Sequence, residues 1–265
     1  MTVTNTQPGT AADDGGKPSN MRSLSRAMEV FAELQRADRP QRLSDLARNC
    51  GMSLPTTLRI LRVLQDFGMV SQTDKTYRIG PAVLPAARSY IENDPLVTAS
   101  RPVLQQVAAQ TGMTASLYTR LGFERILVVR VDGDAPLRYD MPLGKRLPLT
   151  LGAAGKILLA GAPDHHLEEV VQQAVAAGHE ESTFSLAELK ARLPQPGTDY
   201  AYSADERATG VHSVAVAIRR SGLPSESIAL TSPVEAATKD GLTASVPELR
   251  RAAGRLAELL EGTVY

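Results

Sequence analysis

Apolar residues recur every three to four positions up to about residue 110, and from Met113 onward several stretches alternate every second position. The first spacing is that of helices with one buried face, the second that of half-buried strands. Leu24, Ala27, Met28, Phe31 and Leu34 predict an amphipathic helix over 22–37, broken by Asp38, Arg39 and Pro40. Ser44 is the expected N-cap of a short helix over 45–50, with Leu46 and Ala47 facing inward. Gly51 then permits a tight reversal, because positive φ costs it little. Ser53 caps a third helix with Pro55 in its first turn, and Leu58, Leu61, Val63, Leu64 and Phe67 carry it to Gly68. Met69–Ser71 and Thr76–Gly80 flank the polar turn Gln72-Thr73-Asp74-Lys75 and predict a two-stranded hairpin.

Pro81 to Glu92 reads as a helix leading away from that hairpin, stopped by Asn93-Asp94-Pro95, and 96–110 resumes the helical pattern up to Gly112. Thr114–Arg120 and Arg125–Val131 are strand-like, joined by Leu121-Gly122-Phe123-Glu124, and Leu137–Met141 is a candidate third strand. Helices are expected at Gly152–Ala160 and 164–177. A third follows Ser185-Leu186-Ala187-Glu188, a capping-box pattern, and runs to about Leu193. Val211–Ile218 and Ser227–Leu230 read as strands, and Val246–Leu260 as a long closing helix. Sequential, mostly antiparallel strands with helices around them imply an α+β domain. The expected division is a disordered tail over 1–20, a helical domain over 21–80, a connecting helix over 81–94 and the α+β domain over 95–265.

Composition adds three points. The formal charge is zero over 265 residues, yet residues 21–90 carry 11 basic and 6 acidic side chains, whereas 91–265 carry 17 and 21. A basic first domain beside an acidic second one suggests different partners for each. Cys50 is the sole cysteine, which excludes an intramolecular disulfide and a cysteine-cluster zinc site. It reads as a small hydrophobe rather than a redox switch. No stretch approaches the roughly 18 consecutive apolar residues of a membrane span. The start of the chain lacks a charged region followed by an apolar core, so a cytoplasmic location is expected.

Helix, short helix, glycine turn, helix and hairpin is the winged helix-turn-helix plan. Its third helix enters the DNA major groove by its first turn while the wing follows the backbone or minor groove. Ser53, Leu54, Thr56 and Thr57 stand at that helix start, and Arg59 one turn on suits a bidentate contact to guanine or a phosphate clamp. Lys75 and Arg78 put cations on the wing, and Arg22, Arg26 and Arg42 are placed to meet flanking phosphates.

The run from Leu43-Ser44-Asp45-Leu46-Ala47 through Gly51 to Leu61, with Tyr77-Arg78-Ile79-Gly80, resembles the DNA-binding domain of IclR-type bacterial transcriptional regulators. Leu54 stands where that family commonly has a basic residue. The resemblance continues in Leu147-Pro148, Gly152-Ala153-Ala154-Gly155-Lys156-Ile157-Leu158-Leu159-Ala160, Tyr200-Ala201, Glu206, Gly210-Val211 and Ser213–Ile218, and covers about 22–260. It implies a GAF-like second domain with an antiparallel sheet, binding a small effector such as a carboxylate or aromatic acid. It implies a homodimer or tetramer on a double-stranded operator. The positions matching the family's effector pocket are Met141, Leu147, Ala153, Ala154, Gly155, Ser203, Ser213 and Thr231.

Free N–H groups at Ala153, Ala154 and Gly155, on a helix start, would seat an anion. Ser203 replaces a common acid and Ser213 a common Cys, which removes a potential negative charge and favours an anionic ligand. Arg219 and Arg220 follow the strand, and alternation lets only one point inward. The other reading is that the second domain serves only assembly, with no effector.

Enzymatic motifs fail. Thr150 occupies the first glycine position of a phosphate loop and Ile157 follows Lys156 where Ser or Thr is required. His165 and His166 diverge by about 100° on a helix and do not chelate one metal. His179 and His212 belong to no triad pattern, and there is no G-x-S-x-G elbow. No catalysis, cofactor or metal is expected.

Overall fold

A computed structural model describes residues 19–134, 137, 141–176, 184–219 and 223–261. It divides into two units, one ending at Ala87 and the other beginning at Arg88. In the first unit, α1 (Ser19–Arg36) buries Val30, Phe31 and Leu34 against Leu46 of α2 (Leu43–Asn49) and Leu61 of α3 (Leu54–Asp66). Residues 1–18 of the expected tail lie outside the described residues, and Ser19 and Asn20 already belong to α1.

The expected N-cap of α2 is corrected. Gln41 and Arg42 form a short strand, β1, that pairs with β3 (Thr76–Ile79) through Gln41↔Tyr77 and Arg42↔Thr76. The helix starts directly after it, so Arg42 holds the cap position without a side-chain bond and Ser44 lies within the first turn. At α3 the expectation holds: the Ser53 hydroxyl accepts from the Thr56 N–H at 3.4 Å, and Gly68 ends the helix at φ 67°. Strand β2 (Val70–Thr73) pairs antiparallel with β3 across Asp74-Lys75, where Asp74 takes φ 55°. Helix α4 (Val83–Asn93) carries the division between the units and buries none of its side chains.

The second unit opens with α5 (Pro95–Thr111), capped by Asp94 and closed by Gly112 at φ 68°. Its six-stranded sheet combines β4 (Thr114–Leu121), β5 (Glu124–Val131), β6 (Arg146–Pro148), β7 (Tyr200–Ala204), β8 (Val211–Ile218) and β9 (Glu226–Pro233). The order is β6-β5-β4-β9-β8-β7 and every pairing is antiparallel. The strand beside β5 is 146–148, while the expected strand over 137–141 falls mostly outside the described residues. Met141 lies outside any strand, and 138–140 fall outside the described residues. The sequence reading also missed β7 and the short helix α9 (Lys239–Ala244).

Period-2 alternation divides the sheet faces. Val214, Val216 and Ile218 pack with α5 and with α10 (Val246–Glu261), while Ala215 and Ala217 turn toward α6 (Gly152–Leu158). Ala201 and Ala229 add to the α6 face. Small side chains on that face leave space between sheet and helix, whereas the opposite face is filled by aliphatic ones. Leu158 and Leu159 bury against Leu167 and Val170 of α7 (Asp164–Ala176) and Leu189 of α8 (Leu186–Arg192). The Ser185–Glu188 capping box at α8 forms as the sequence implies.

Candidate functional site

Two surfaces carry the chemistry, one in each unit. In the first, the start of α3 projects Ser53, Leu54 and Arg59 outward, with Thr56 half-buried between them. Arg42, Lys75 and Arg78 are exposed as well, and together with Arg59 they make no ion pair with a described residue. Uncompensated cations on a helix start and on a hairpin are what a polyphosphate backbone requires. Thr57 is a correction: it is fully buried, and its hydroxyl donates to the Ser53 carbonyl at 3.1 Å, so it is spent on the helix start and turned from the surface. Cys50 lies half-buried at the end of α2, against the core of this unit. Burial, then the carboxylates of Glu33 and Glu29, push its thiol up to about 11.

In the second unit, a cavity opens between α6 and the small-residue face of the sheet. Ala153, Ala154, Ser203, Ser213 and Thr231 all border it. The register explains the meeting: Ser203↔Ser213 and Ser213↔Thr231 are direct cross-strand neighbours, forming one row across β7, β8 and β9. The Ser203 and Ser213 hydroxyls are 2.7 Å apart. Three expected lining residues stand back. Met141 and Leu147 are buried in one cluster with Ala153 and Ala154 but do not border the cavity. Gly155 faces its own entry loop, where an added Cβ would lie 2.3 Å from the Leu149 carbonyl oxygen. The space left is small, room for about one ordered water.

The start of α6 is also occupied by the chain itself. The Gly152 N–H donates to Glu206 Oε2 at 2.7 Å, and the Ala153 N–H donates to Ser203 Oγ at 3.1 Å. Glu206 Oε1 takes the Lys156 ammonium at 2.6 Å and lies 3.4 Å from Arg192. Lys156 is 4% exposed and donates also to the Tyr202 carbonyl at 2.6 Å. The free N–H groups expected at this helix start are thus partly satisfied internally.

Two guanidinium groups border the same cavity. Arg125 of β5 is 1% exposed, donates to the Pro148 carbonyl, and lies 5.5 Å from the centroid of the Tyr118 ring. Arg207 reaches Met141 Sδ at 3.2 Å. Arg219 is exposed and does not border this cavity, and Arg220 lies outside the described residues. His165 is exposed and His166 stacks on Phe123, while His179 lies outside the described residues. Among the described residues, no group of His, Cys, Asp and Glu is arranged to hold a metal ion, and no helix is long and apolar enough to cross a membrane.

Residues 88–258 match the family described as bacterial transcriptional regulator IclR C-terminal, and 23–74 match the IclR helix-turn-helix domain. The chain belongs to the IclR family of transcriptional regulators. IclR-family regulators are not enzymes. The chain is similar to the HTH-type transcriptional repressor AllR of Klebsiella pneumoniae, 25% identical over 90% of this chain and 89% of that one. It is also similar to the crystal structure of an IclR-type regulator from Silicibacter sp. TM1040. That likeness has a TM-score of 0.76 and 26% identity, covering 92% of this chain and 98% of that one. An IclR homologue from Microbacterium hydrocarbonoxydans, crystallised with 4-hydroxybenzoate, shares the fold at TM-score 0.66 and 19% identity, over 91% of this chain and all of that one.

Two site residues of this IclR-family chain escaped the sequence reading. Glu206 stood in the family signature without a role. Arg125 stands two positions before Leu127, which is buried on the α6 face of the sheet, so a cation at that inward position was the available signal.

Proposed function

We propose that this IclR-family chain is a sequence-specific DNA-binding transcriptional regulator whose operator affinity is modulated by a small organic or aromatic acid. The observation that carries the DNA reading is the set of exposed cations Arg42, Arg59, Lys75 and Arg78 around the start of α3 and the wing, none paired with a described residue. Ser53, Leu54 and Thr56 complete the contact surface, with Arg59 reading a base and the wing cations meeting phosphates. One such surface covers few base pairs. The working form is therefore a homodimer or tetramer reading half-sites about one helical turn, ~34 Å, apart.

The effector reading is supported by the cavity between α6 and the sheet, bordered by Ala153, Ala154, Ser203, Ser213 and Thr231 together with two guanidinium groups. The 4-hydroxybenzoate of the Microbacterium homologue supports an acid as its occupant. The smallness of the cavity favours the second reading, in which this unit serves only assembly.

Footprinting the full chain on the DNA upstream of its own gene tests the first part. Protection of two half-sites, absent on shuffled DNA, is the expected result. Uniform weak binding to both fragments contradicts it. Thermal shift with small carboxylates and aromatic acids tests the second part, since a ligand at 100 times its Kd adds about 2.7 kcal/mol of stability.

A further inference from the structure

We infer that Leu54 is a specificity residue of the first unit, and that it reads the C5-methyl group of a thymine in the operator's major groove. The inference deepens the DNA reading and rests on it.

An exposed leucine is ordinary by itself, and its surroundings give this one its meaning. Leu54 opens α3 and is 50% exposed, while Leu61 along the same helix is fully buried. Pro55 beside it is exposed as well and has no N–H to offer. The Ser53 and Thr56 hydroxyls that flank the pair are 2.9 Å apart, and the Ser53 oxygen also accepts the Thr56 N–H at 3.4 Å. Thr57 is turned inward, its hydroxyl donating to the Ser53 carbonyl at 3.1 Å. The first turn thus spends part of its polar capacity on itself and presents an apolar tip.

Charge says what covers that tip. Arg59 and Arg62 follow on the outward side of α3, both exposed and without an ion pair to a described residue. An apolar tip ahead of two such guanidinium groups suits a surface that is polyanionic at its rim and carries apolar spots within, which is the major groove of a duplex. Of the four bases only thymine puts a methyl group there. Guanine, adenine and cytosine show donors and acceptors that an apolar side chain would leave unpaired. Leu54 and Arg59 are about 7.5 Å apart along the helix axis, so the thymine lies within roughly two or three base pairs of the Arg59 contact.

The test is fluorescence anisotropy of the full chain on its footprinted site, with each thymine of a half-site replaced in turn by deoxyuridine, which removes the methyl group alone. One thymine per half-site is expected to answer, with a loss of about fourfold for one buried methyl and about fifteenfold when both half-sites are changed. Leu54→Ala should bring that thymine-to-deoxyuridine ratio close to unity. Leu54→Lys should do the same while steepening the salt slope by about one. Leu54 is half exposed, so both variants should fold, and a leucine that merely supports the fold would leave the ratio as in wild type. A half-site in which no thymine answers to loss of its methyl overturns the Leu54 assignment, while salt-dependent operator binding keeps the DNA reading. A ratio that survives Leu54→Ala unchanged gives the methyl to another side chain and overturns the assignment too. Operator bound no more tightly than random duplex overturns the DNA reading and this inference with it.

Discussion

The Glu206 carboxylate accepts the backbone N–H of Gly152 at 2.7 Å, across 54 positions of chain. The same carboxylate holds the Lys156 ammonium one turn along α6 at 2.6 Å. One side chain from the loop after β7 thus fixes both the start of α6 and a cation buried within it. The contact locks the helix over the sheet and keeps the helix start from serving as an open anion site.

Glu206→Gln should therefore be strongly destabilising, because it leaves the Lys156 charge, 4% exposed, without its counter-charge. Breaking one partner of a buried pair costs about 3–5 kcal/mol. For a unit of this size the melting midpoint should drop by of order 10 °C. Adding Lys156→Met should recover much of that loss. A midpoint within a degree or two of wild type for the single variant would show that water already screens the pair.

Gly155→Ala should fail more severely than its size suggests. Its Cβ would sit 2.3 Å from the Leu149 carbonyl oxygen, a backbone atom that moves only if the α6 entry moves. Insoluble protein, or a loss of roughly 1–3 kcal/mol or more in urea unfolding, is expected. Gly161→Ala, with no atom within 4 Å of its Cβ but φ 81°, is the control for backbone strain alone.

Cys50 should be sluggish toward alkylation. Burial and the neighbouring Glu33 and Glu29 raise its thiol from 9.0 to about 11, so the thiolate is scarce at pH 8. Iodoacetamide should label native protein at least about tenfold more slowly than urea-unfolded protein. The folded pKa lies above the unfolded one, so this group contributes stability below about pH 9, lost as pH rises toward 11. Equal labelling rates in the two states would place the thiol in open solvent.

The helical unit was legible because each of its signals is local. Ser53, Pro55 and Gly68 mark helix ends within a few residues of the groups they bond. Strand β8 was equally plain, since Val214, Val216 and Ile218 put β-branched side chains at every second position. The failures share a long-range cause. Arg42 is placed by β3, more than thirty positions on, so the local preference for Ser44 as cap lost. Strand β6 has three residues and exists only as the partner of β5. Ser203, Ser213 and Thr231 meet through strand register, which the family resemblance supplied and periodicity did not. Glu206 and Arg125 reach α6 across the fold, and no spacing along the chain announces either contact.

Ser53 and Thr57 should separate folding from recognition. Thr57→Val removes a buried hydroxyl bonded to the Ser53 carbonyl and should cost stability, about 0.5–1.5 kcal/mol, with little change in relative affinity for different duplexes. Ser53→Ala removes the cap, about 0.5–2 kcal/mol, and also a hydroxyl on the exposed helix start. It should weaken operator binding beyond what its stability loss explains. Thr57→Val altering operator preference while Ser53→Ala does not would reverse the assigned orientation of α3.

The most direct test of a DNA-reading first unit is the salt dependence of duplex binding, followed by fluorescence anisotropy of the full chain on its footprinted site and on a random duplex. Phosphate neutralisation releases counterions, so log K should fall linearly with log salt on both duplexes. Lys75→Ala should weaken both alike and shallow the slope by about one. Arg59→Ala should cost roughly 1–3 kcal/mol on the operator and relax specificity at one position. A wild-type affinity indifferent to salt, or both variants binding operator and random DNA as wild type does, would contradict the account.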